Sequence, residues 1–305
     1  MTGSDSTTRA EPNRPAMSLR YHDVRSADGT KIQAWTNDAV GPTVLLCNGL
    51  GTNPHAWPAL LDRDCGVRIV SWNHRGVGGS ERPRDIARVG IDAFVDDAVA
   101  VLDDAGVQRC PVIGWSIGVN TAFEMAVQHP DRVSGILAVA GVPGATFASV
   151  GAPLFIPRFA RRPVARAVMR SLGRLGPILN PLTARITMGP VATYVLQRSG
   201  LMFPGADPDV VREAVTTYLD TPIEWGMHLA RGADQHARVS LSKIAMPTIF
   251  LAGKYDMLAS ARDMKTAASC IPDSEYVELA GSHFIQMERP QDVHRYLLAL
   301  VDRIG

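Results

Sequence analysis

The sequence predicts an α/β protein with a mostly parallel, eight-stranded sheet, helices on both of its faces and an inserted helical segment. Short β-rich apolar runs alternate with helical patterns through most of the 305 residues, which is typical of a parallel sheet covered by helices. A GxSxG pentapeptide stands where one apolar run gives way to a helical pattern. After Ala140 the alternation stops, and it resumes only near residue 247.

Most of the predicted strands are runs rich in apolar and β-branched residues. The first two form a hairpin that turns at Asp28-Gly29, a dipeptide favoured in tight hairpin turns. Most of the others are separated by helical patterns, which favours parallel pairing. The predicted strands cover residues 19 to 25, 31 to 36, 42 to 47, 68 to 73, 111 to 115, 135 to 140, 247 to 252 and 275 to 279.

Helical patterns follow several of these strands. Helices are predicted over residues 91 to 105, 117 to 128 and 290 to 303. Pro130 agrees with the end of the second helix, and Pro290 suits the first turn of the last one. Between residues 145 and 240 the pattern indicates several helical stretches punctuated by prolines, without a strong strand signal.

The pentapeptide Gly114-Trp115-Ser116-Ile117-Gly118 contains a candidate nucleophile. A strand that reverses sharply into a helix needs glycines beside the turn, and it leaves the serine strained with its hydroxyl exposed. Free backbone N–H groups at the start of the helix point toward the group that the hydroxyl would attack. GxSxG alone is only moderately specific, because a glycine-rich turn can carry it by chance.

A serine hydroxyl needs a base, and the base needs a group that orients it. His283 follows the predicted strand at residues 275 to 279 on a loop of small residues, and Asp256 follows the strand at residues 247 to 252. A single histidine after a strand would be weak support for catalysis. Three such residues, each after its own strand, are a stronger pattern, and Ser116, Asp256 and His283 are therefore the predicted catalytic residues.

These features resemble the α/β-hydrolase superfamily, whose triad runs nucleophile, acid, histidine along the chain. Residues 42 to 51 resemble its strand and oxyanion loop, residues 68 to 80 its RGxGxS loop, and residues 287 to 290 the start of its last helix. The resemblance implies an α/β-hydrolase fold, a core at residues 17 to 144 and 241 to 305, and a helical cap at residues 145 to 240. It also implies an oxyanion hole formed by the backbone N–H groups of Leu50 and Ile117.

Two positions depart from the family pattern. Asn48 stands where the family usually has histidine, so the hydrogen bonds that shape the early loop are expected to differ, and Leu50 has the alternative of being an apolar residue on the pocket floor. Val119 occupies a place where a small residue often allows tight helix packing. Arg75, in the RGxGxS loop, is interpreted as a structural residue that braces the loop.

Composition excludes several classes of protein. No apolar run approaches the ~18 residues needed to span a bilayer, and residues 1 to 16 are polar, so we predict a disordered leader and a cytoplasmic location. The four cysteines lack CxxC spacing, HExxH is absent, and no dinucleotide or P-loop fingerprint is complete. Neither a metal nor another cofactor is expected, and nucleic acid is not an expected partner.

The predicted cap is strongly basic. Residues 151 to 200 contain eight arginines and no acidic residue, whereas the remainder of the chain carries a formal net charge of −7. Within the Arg158–Arg174 segment, arginines recur every four residues with apolar residues between them, which predicts a helix with one basic and one apolar face. Either the basic face is simply solvated, or it contacts an anionic surface such as membrane lipid or an acidic substrate group.

The expected function is hydrolysis of carboxylic esters of small hydrophobic substrates through an acyl-enzyme. Epoxide hydrolases and haloalkane dehalogenases of the family use aspartate as nucleophile, which argues against those activities for Ser116. A cofactor-free perhydrolase or haloperoxidase, an acyltransferase, a carbon–carbon bond hydrolase and a non-catalytic ligand-binding protein remain alternatives. The sequence leaves the oligomeric state open.

Overall fold

A computed structural model describes residues 19–144, 147, 149–150, 157–183, 185–237 and 239–305. The predicted leader, residues 1 to 16, lies outside the described residues. The described chain forms one eight-stranded sheet. Its strands are β1 Arg20–Arg25, β2 Lys31–Thr36, β3 Thr43–Cys47, β4 Arg68–Trp72, β5 Cys110–Trp115, β6 Val133–Val139, β7 Thr248–Gly253 and β8 Ser274–Leu279.

The strand order is β1-β2-β4-β3-β5-β6-β7-β8. β1 and β2 form the predicted antiparallel hairpin, and β2 pairs antiparallel with β4. All other pairs, from β4 to β8, are parallel. The fold class predicted from the sequence is therefore confirmed. Because parallel strands all end at the same edge, the loops after β3, β5, β7 and β8 meet there.

Helices cover both faces of the sheet and fill the long connection between β6 and β7. α1, α2 and α7 pack with one buried cluster, and α9 packs with the cluster on the opposite face. α7 was not predicted from the sequence, although Ser260 caps its N-terminus. The helices are α1 Ile91–Asp104, α2 Gly118–Gln128, α3 Arg158–Thr183, α4 Pro190–Leu196, α5 Pro208–Leu219, α6 Ile223–Asp234, α7 Ala261–Ala268, α8 Ile285–Glu288 and α9 Pro290–Ile304.

We call the stretch between β6 and β7, residues 140–247, the insertion. Its described residues form helices α3 to α6 and no strand, as the lost alternation in the sequence indicates. α3 is one 26-residue helix that contains Pro163, Pro177 and Pro181, while α4 and α5 begin at Pro190 and Pro208, in agreement with the several proline-punctuated helical stretches predicted here. The three prolines within α3 are exposed. The division of the chain into a core and a cap stays a prediction.

The interpretation of Arg75 as a structural residue agrees with its surroundings. Its guanidinium is fully buried, donates to both carboxylate oxygens of Asp97 at 2.7 to 3.2 Å and to the Ser26 hydroxyl at 3.0 Å, and pairs with Asp28. Burial acts to raise the pKa of Asp28, but hydrogen bonds from Thr30 and Arg75 outweigh it and lower this pKa to about 2. The network ties β1, the loop after β4 and α1 together.

Substitution of Asp97 tests this network. Asp97→Ala would leave the buried guanidinium with Asp28 as its remaining charged partner, and the free energy of unfolding is expected to fall by about 3 kcal/mol. Urea denaturation measures the change. Asp92→Ala is the matched control, because this residue lies on the same helix and pairs with Arg88 on the surface, where a loss below about 1 kcal/mol is expected. Equal losses in the two variants would contradict the assigned role.

Candidate active site

Ser116 lies at a strained turn between β5 and α2. Its φ of 56° falls in the left-handed region that side chains other than glycine rarely adopt. The flanking glycines are required by space: a Cβ on Gly118 would overlap the carbonyl oxygen of Cys47, and one on Gly114 would lie 2.7 Å from the carbonyl oxygen of Gly118. The turn therefore fits tightly against the end of β3 and holds the serine in one orientation.

Val119 follows this turn and is completely buried. The larger side chain fits because Gly141, just after β6, has none: a Cβ on Gly141 would lie 2.5 Å from a methyl carbon of Val119. The departure from the family pattern at position 119 is thus compensated at position 141.

The structure brings the three predicted catalytic residues together. The Nε2 atom of His283 lies 2.9 Å from the Ser116 hydroxyl oxygen, and its Nδ1 atom lies 2.9 and 3.1 Å from the two carboxylate oxygens of Asp256. Asp256 also accepts the backbone N–H groups of Leu258 and Ala259 at 2.7 and 2.8 Å. When Nδ1–H donates to the carboxylate, Nε2 is free to accept the serine proton.

Ser116 and His283 open into a cavity of about 100 Å³. Leu50 and Ile117 both line it, so the two predicted oxyanion-hole residues lie beside the serine. Within the described chain, neither of their backbone N–H groups donates to a protein acceptor. The remaining lining is mostly apolar and comes in part from the insertion: Asn120, Ala140, Gly141, Val142, Phe147, Val150, Leu258 and Ala259.

Asn48 shapes the early loop, as its departure from the family pattern suggested. Its side-chain oxygen accepts the N–H of Gly49 and the indole N–H of Trp57, both at 3.0 Å, and its amide donates to the Asn53 carbonyl at 3.3 Å. An amide can accept and donate at the same time, which the loop here requires. Trp57 in turn packs edge-on against Trp115, with ring centroids 6.2 Å apart.

Trp115 connects the turn to the histidine loop. Its indole N–H donates to the backbone carbonyl of His283 at 3.0 Å, and the two rings lie 5.8 Å apart. A carbonyl held in this way fixes the backbone from which the imidazole projects. The residue before the serine therefore positions the histidine, a role that the GxSxG pattern does not indicate.

A model of the family described as alpha/beta hydrolase fold matches residues 42–290. The chain belongs to this family. The resemblance carried by the serine turn, the early loop and the RGxGxS loop is thereby confirmed.

Individual α/β-hydrolase relatives have different names. The chain is 26% identical over 292 residues to Epoxide hydrolase A of Mycobacterium tuberculosis, covering 84% of this chain and 89% of that protein. It is 33% identical over 129 residues to the putative carbamate hydrolase RutD of Caulobacter sp. (strain K31), covering 40% of this chain and 42% of the relative.

Solved structures share the fold at low identity. An enol-lactonase from Burkholderia xenovorans LB400 matches with a TM-score of 0.65 and 22% identity, over 93% of this chain and all of the other. The esterase EaEST from Exiguobacterium antarcticum matches with a TM-score of 0.70 and 16% identity, over the same shares of the two chains.

Glu288 is a positioning residue of this α/β hydrolase that the sequence analysis missed. Its buried carboxylate accepts the N–H of Ser282 at 2.7 Å, the hydroxyl of Ser282 at 2.6 Å and the N–H of Phe203 at 2.7 Å. It therefore holds the loop just before His283 and ties that loop to the insertion. The available signal was an acidic residue five positions after the histidine, in a segment interpreted only as the start of a helix.

Removal of the Glu288 charge is expected to weaken the histidine loop. Glu288→Gln keeps the side-chain volume but turns one acceptor into a donor that faces other donors, so the free energy of unfolding should fall by about 1 to 3 kcal/mol. Urea denaturation measures the loss. Glu275→Gln, an exposed position on β8, is the control and should change stability little. A Glu288→Gln variant as stable as the wild type would contradict the arrangement.

Proposed function

We propose that this α/β hydrolase cleaves carboxylic esters of hydrophobic substrates through an acyl-enzyme intermediate. The main support for this proposal is the continuous hydrogen-bonded arrangement of Ser116, His283 and Asp256. The imidazole nitrogens lie 2.9 Å from the serine hydroxyl oxygen and 2.9 Å from a carboxylate oxygen of the aspartate. A strained serine at a helix start, bonded to a buried histidine that a carboxylate orients, is suited to nucleophilic attack on a carbonyl carbon.

In the proposed first half-reaction, the Ser116 oxygen attacks the ester carbonyl while its proton passes to Nε2 of His283. Asp256 holds the imidazole in the required tautomer and stabilises the imidazolium. The N–H groups of Leu50 and Ile117 stabilise the oxyanion. The tetrahedral intermediate then collapses, and Nε2 gives its proton to the leaving alcohol.

In the second half-reaction, water attacks the acyl-serine. His283 accepts a proton from the water, a second tetrahedral intermediate forms, and its collapse releases the carboxylic acid as the proton returns to the Ser116 oxygen. No redox change and no cofactor is needed for either half.

The lining of the cavity supports a hydrophobic substrate. Leu50, Val142, Phe147, Val150 and Leu258 provide apolar surface around the serine, and apolar lining with few polar groups is typical of small-molecule sites. Several structural neighbours are named esterases, including a thermophilic esterase from Thermogutta terrifontis and RhEst1 from Rhodococcus sp. ECU1013.

Epoxide hydrolysis is the second candidate, because epoxide hydrolases are among the relatives in sequence. The serine at the turn favours ester substrates over epoxides. A serine that opened an epoxide would form an ether, and water cannot cleave that ether by attack on an acyl carbon, whereas a carboxylate nucleophile would form a hydrolysable ester. No carboxylate is among the described residues that line the cavity.

A series of p-nitrophenyl esters of increasing acyl length tests the proposal. Wild type should hydrolyse the apolar esters, and Ser116→Ala should lower kcat by at least about a thousandfold, because the nucleophile is lost. Ser269→Ala, at an exposed serine, is the control and should retain activity. A fluorophosphonate probe should label wild type and not Ser116→Ala.

The wild type and the Ser116→Ala variant should also be assayed with styrene oxide as substrate. The expected result is ester hydrolysis without diol formation. Diol formation by a folded wild type that leaves the esters intact would overturn the proposal in favour of epoxides. Ester hydrolysis that survives in Ser116→Ala would show that another residue is the nucleophile.

A further inference from the structure

One side of α3 packs on the rest of the protein. Met169 is buried, Gly173 lies where a Cβ would contact Met227, and Gly176 approaches Glu224 closely. Asn180 donates to the same Glu224 at 2.7 Å. These positions recur every three or four residues, so they form a single helix face, which packs against α6.

The opposite face of α3 is apolar and exposed. We call Val164, Val168, Leu175, Ile178 and Leu182 the stripe. These residues recur at a spacing that keeps them on one side of the helix. Each of the last three lies two positions after a packed residue, which places it on roughly the opposite side. Ile178 and Leu182 are 69% and 58% exposed. Exposed apolar residues continue beyond the helix at Ile186 and on α4, at Val191, Tyr194 and Val195.

The arginines lie differently from the expectation of a fully solvated basic face. Arg162 and Arg166 both pair with the buried carboxylate of Asp234 on α6, so part of the basic face turns toward the protein. Arg170 and Arg174 are exposed along an edge of the stripe. The side chain of Arg158 lies outside the described residues. The helix thus carries apolar residues on its outer face and cations beside them.

We propose that the stripe and its flanking arginines dock on an anionic lipid surface. Contiguous exposed apolar side chains mark an interaction surface, and arginines beside an apolar helix face are the arrangement by which amphipathic helices lie in a lipid interface. The proposed contact is peripheral, with the helix lying in the lipid interface. None of the described helices is both long and apolar enough to cross a membrane.

Charge selects the lipid surface over a second copy of this chain. Arg170 and Arg174 are exposed beside the stripe, and residues 151 to 200 contain no acidic residue, so two copies joined through the stripe would bring these cations together. An anionic leaflet neutralises them and attracts each exposed arginine. The docking does not depend on the proposed hydrolysis.

Vesicle flotation tests this proposal, with vesicles of phosphatidylcholine alone and of phosphatidylcholine mixed with phosphatidylglycerol. Wild type should bind the mixed vesicles and bind the neutral ones far more weakly. Arg170→Gln/Arg174→Gln should weaken binding to mixed vesicles by about twenty-fivefold, which corresponds to about fivefold for each arginine. Leu175→Ser/Ile178→Ser/Leu182→Ser should lower binding by at least about tenfold on both vesicle types.

Matched controls change the same chemistry elsewhere on the surface. Arg84→Gln/Arg109→Gln removes two exposed arginines, and Val40→Ser/Ile86→Ser removes two exposed apolar side chains; both should bind mixed vesicles like the wild type. Circular dichroism verifies that each variant is folded.

Three results would overturn the proposal. Wild type that does not float with mixed vesicles excludes the lipid surface, and equal losses in the stripe and control variants exclude the stripe as the contact. The third is a wild-type dimer in light scattering that the stripe substitutions convert to a monomer, which assigns the stripe to an interface between copies.

Discussion

The close approach of the turn at Ser116 to the end of β3 is the constraint on which the site depends. β3 and β5 pair in parallel, with Cys47 opposite Gly114, and Gly118 packs against the Cys47 carbonyl with no space for a side chain. This contact places the N–H of Ile117 next to the loop that carries Leu50. A larger residue at position 118 would push the turn away from the end of β3, and both the serine geometry and the approach of the Ile117 N–H to the early loop would change.

His283 and Asp256 follow β8 and β7, which are not neighbours of β5 because β6 lies between them in the sheet. Their loops must therefore be held over a distance that strand pairing does not fix. Trp115 does this from the turn by binding the His283 carbonyl, and Glu288 does it from the opposite side by binding Ser282. The site is held by side chains on both ends of the histidine loop, so its geometry depends on residues that take no part in the proposed chemistry.

Local patterns were sufficient to predict the sheet and the three candidate catalytic residues. Most strands are short runs rich in apolar residues, and each candidate follows its own strand, so the parallel sheet brings the three candidates to one edge. All eight strands begin and end within two residues of the predicted bounds. The Trp115 and Glu288 contacts could not be predicted in this way, because Trp115 and His283 are 168 positions apart and no periodicity connects them.

α3 shows a different limit of sequence reasoning. Its periodicity indicates a basic and an apolar face, but amphipathic spacing alone does not say which face is buried. Asp234, more than 60 positions further along the chain, turns Arg162 and Arg166 inward and leaves the apolar face outside.

The insertion contacts both of the loops that border Ser116 and lines part of the cavity. Phe147 and Val150 line the cavity beside Ser116, the N–H of Phe203 binds Glu288, and the carbonyl of Ala214 accepts the amide of Asn53 in the early loop. A displacement of the insertion would thus act on both loops that border the serine. Family members named for epoxides, carbamates and esters share the sheet, so the sheet does not decide among these reactions. In the proposed reaction, the serine at the turn limits the bond that can be cleaved, and the insertion, which lines part of the cavity, limits the molecules that can reach it.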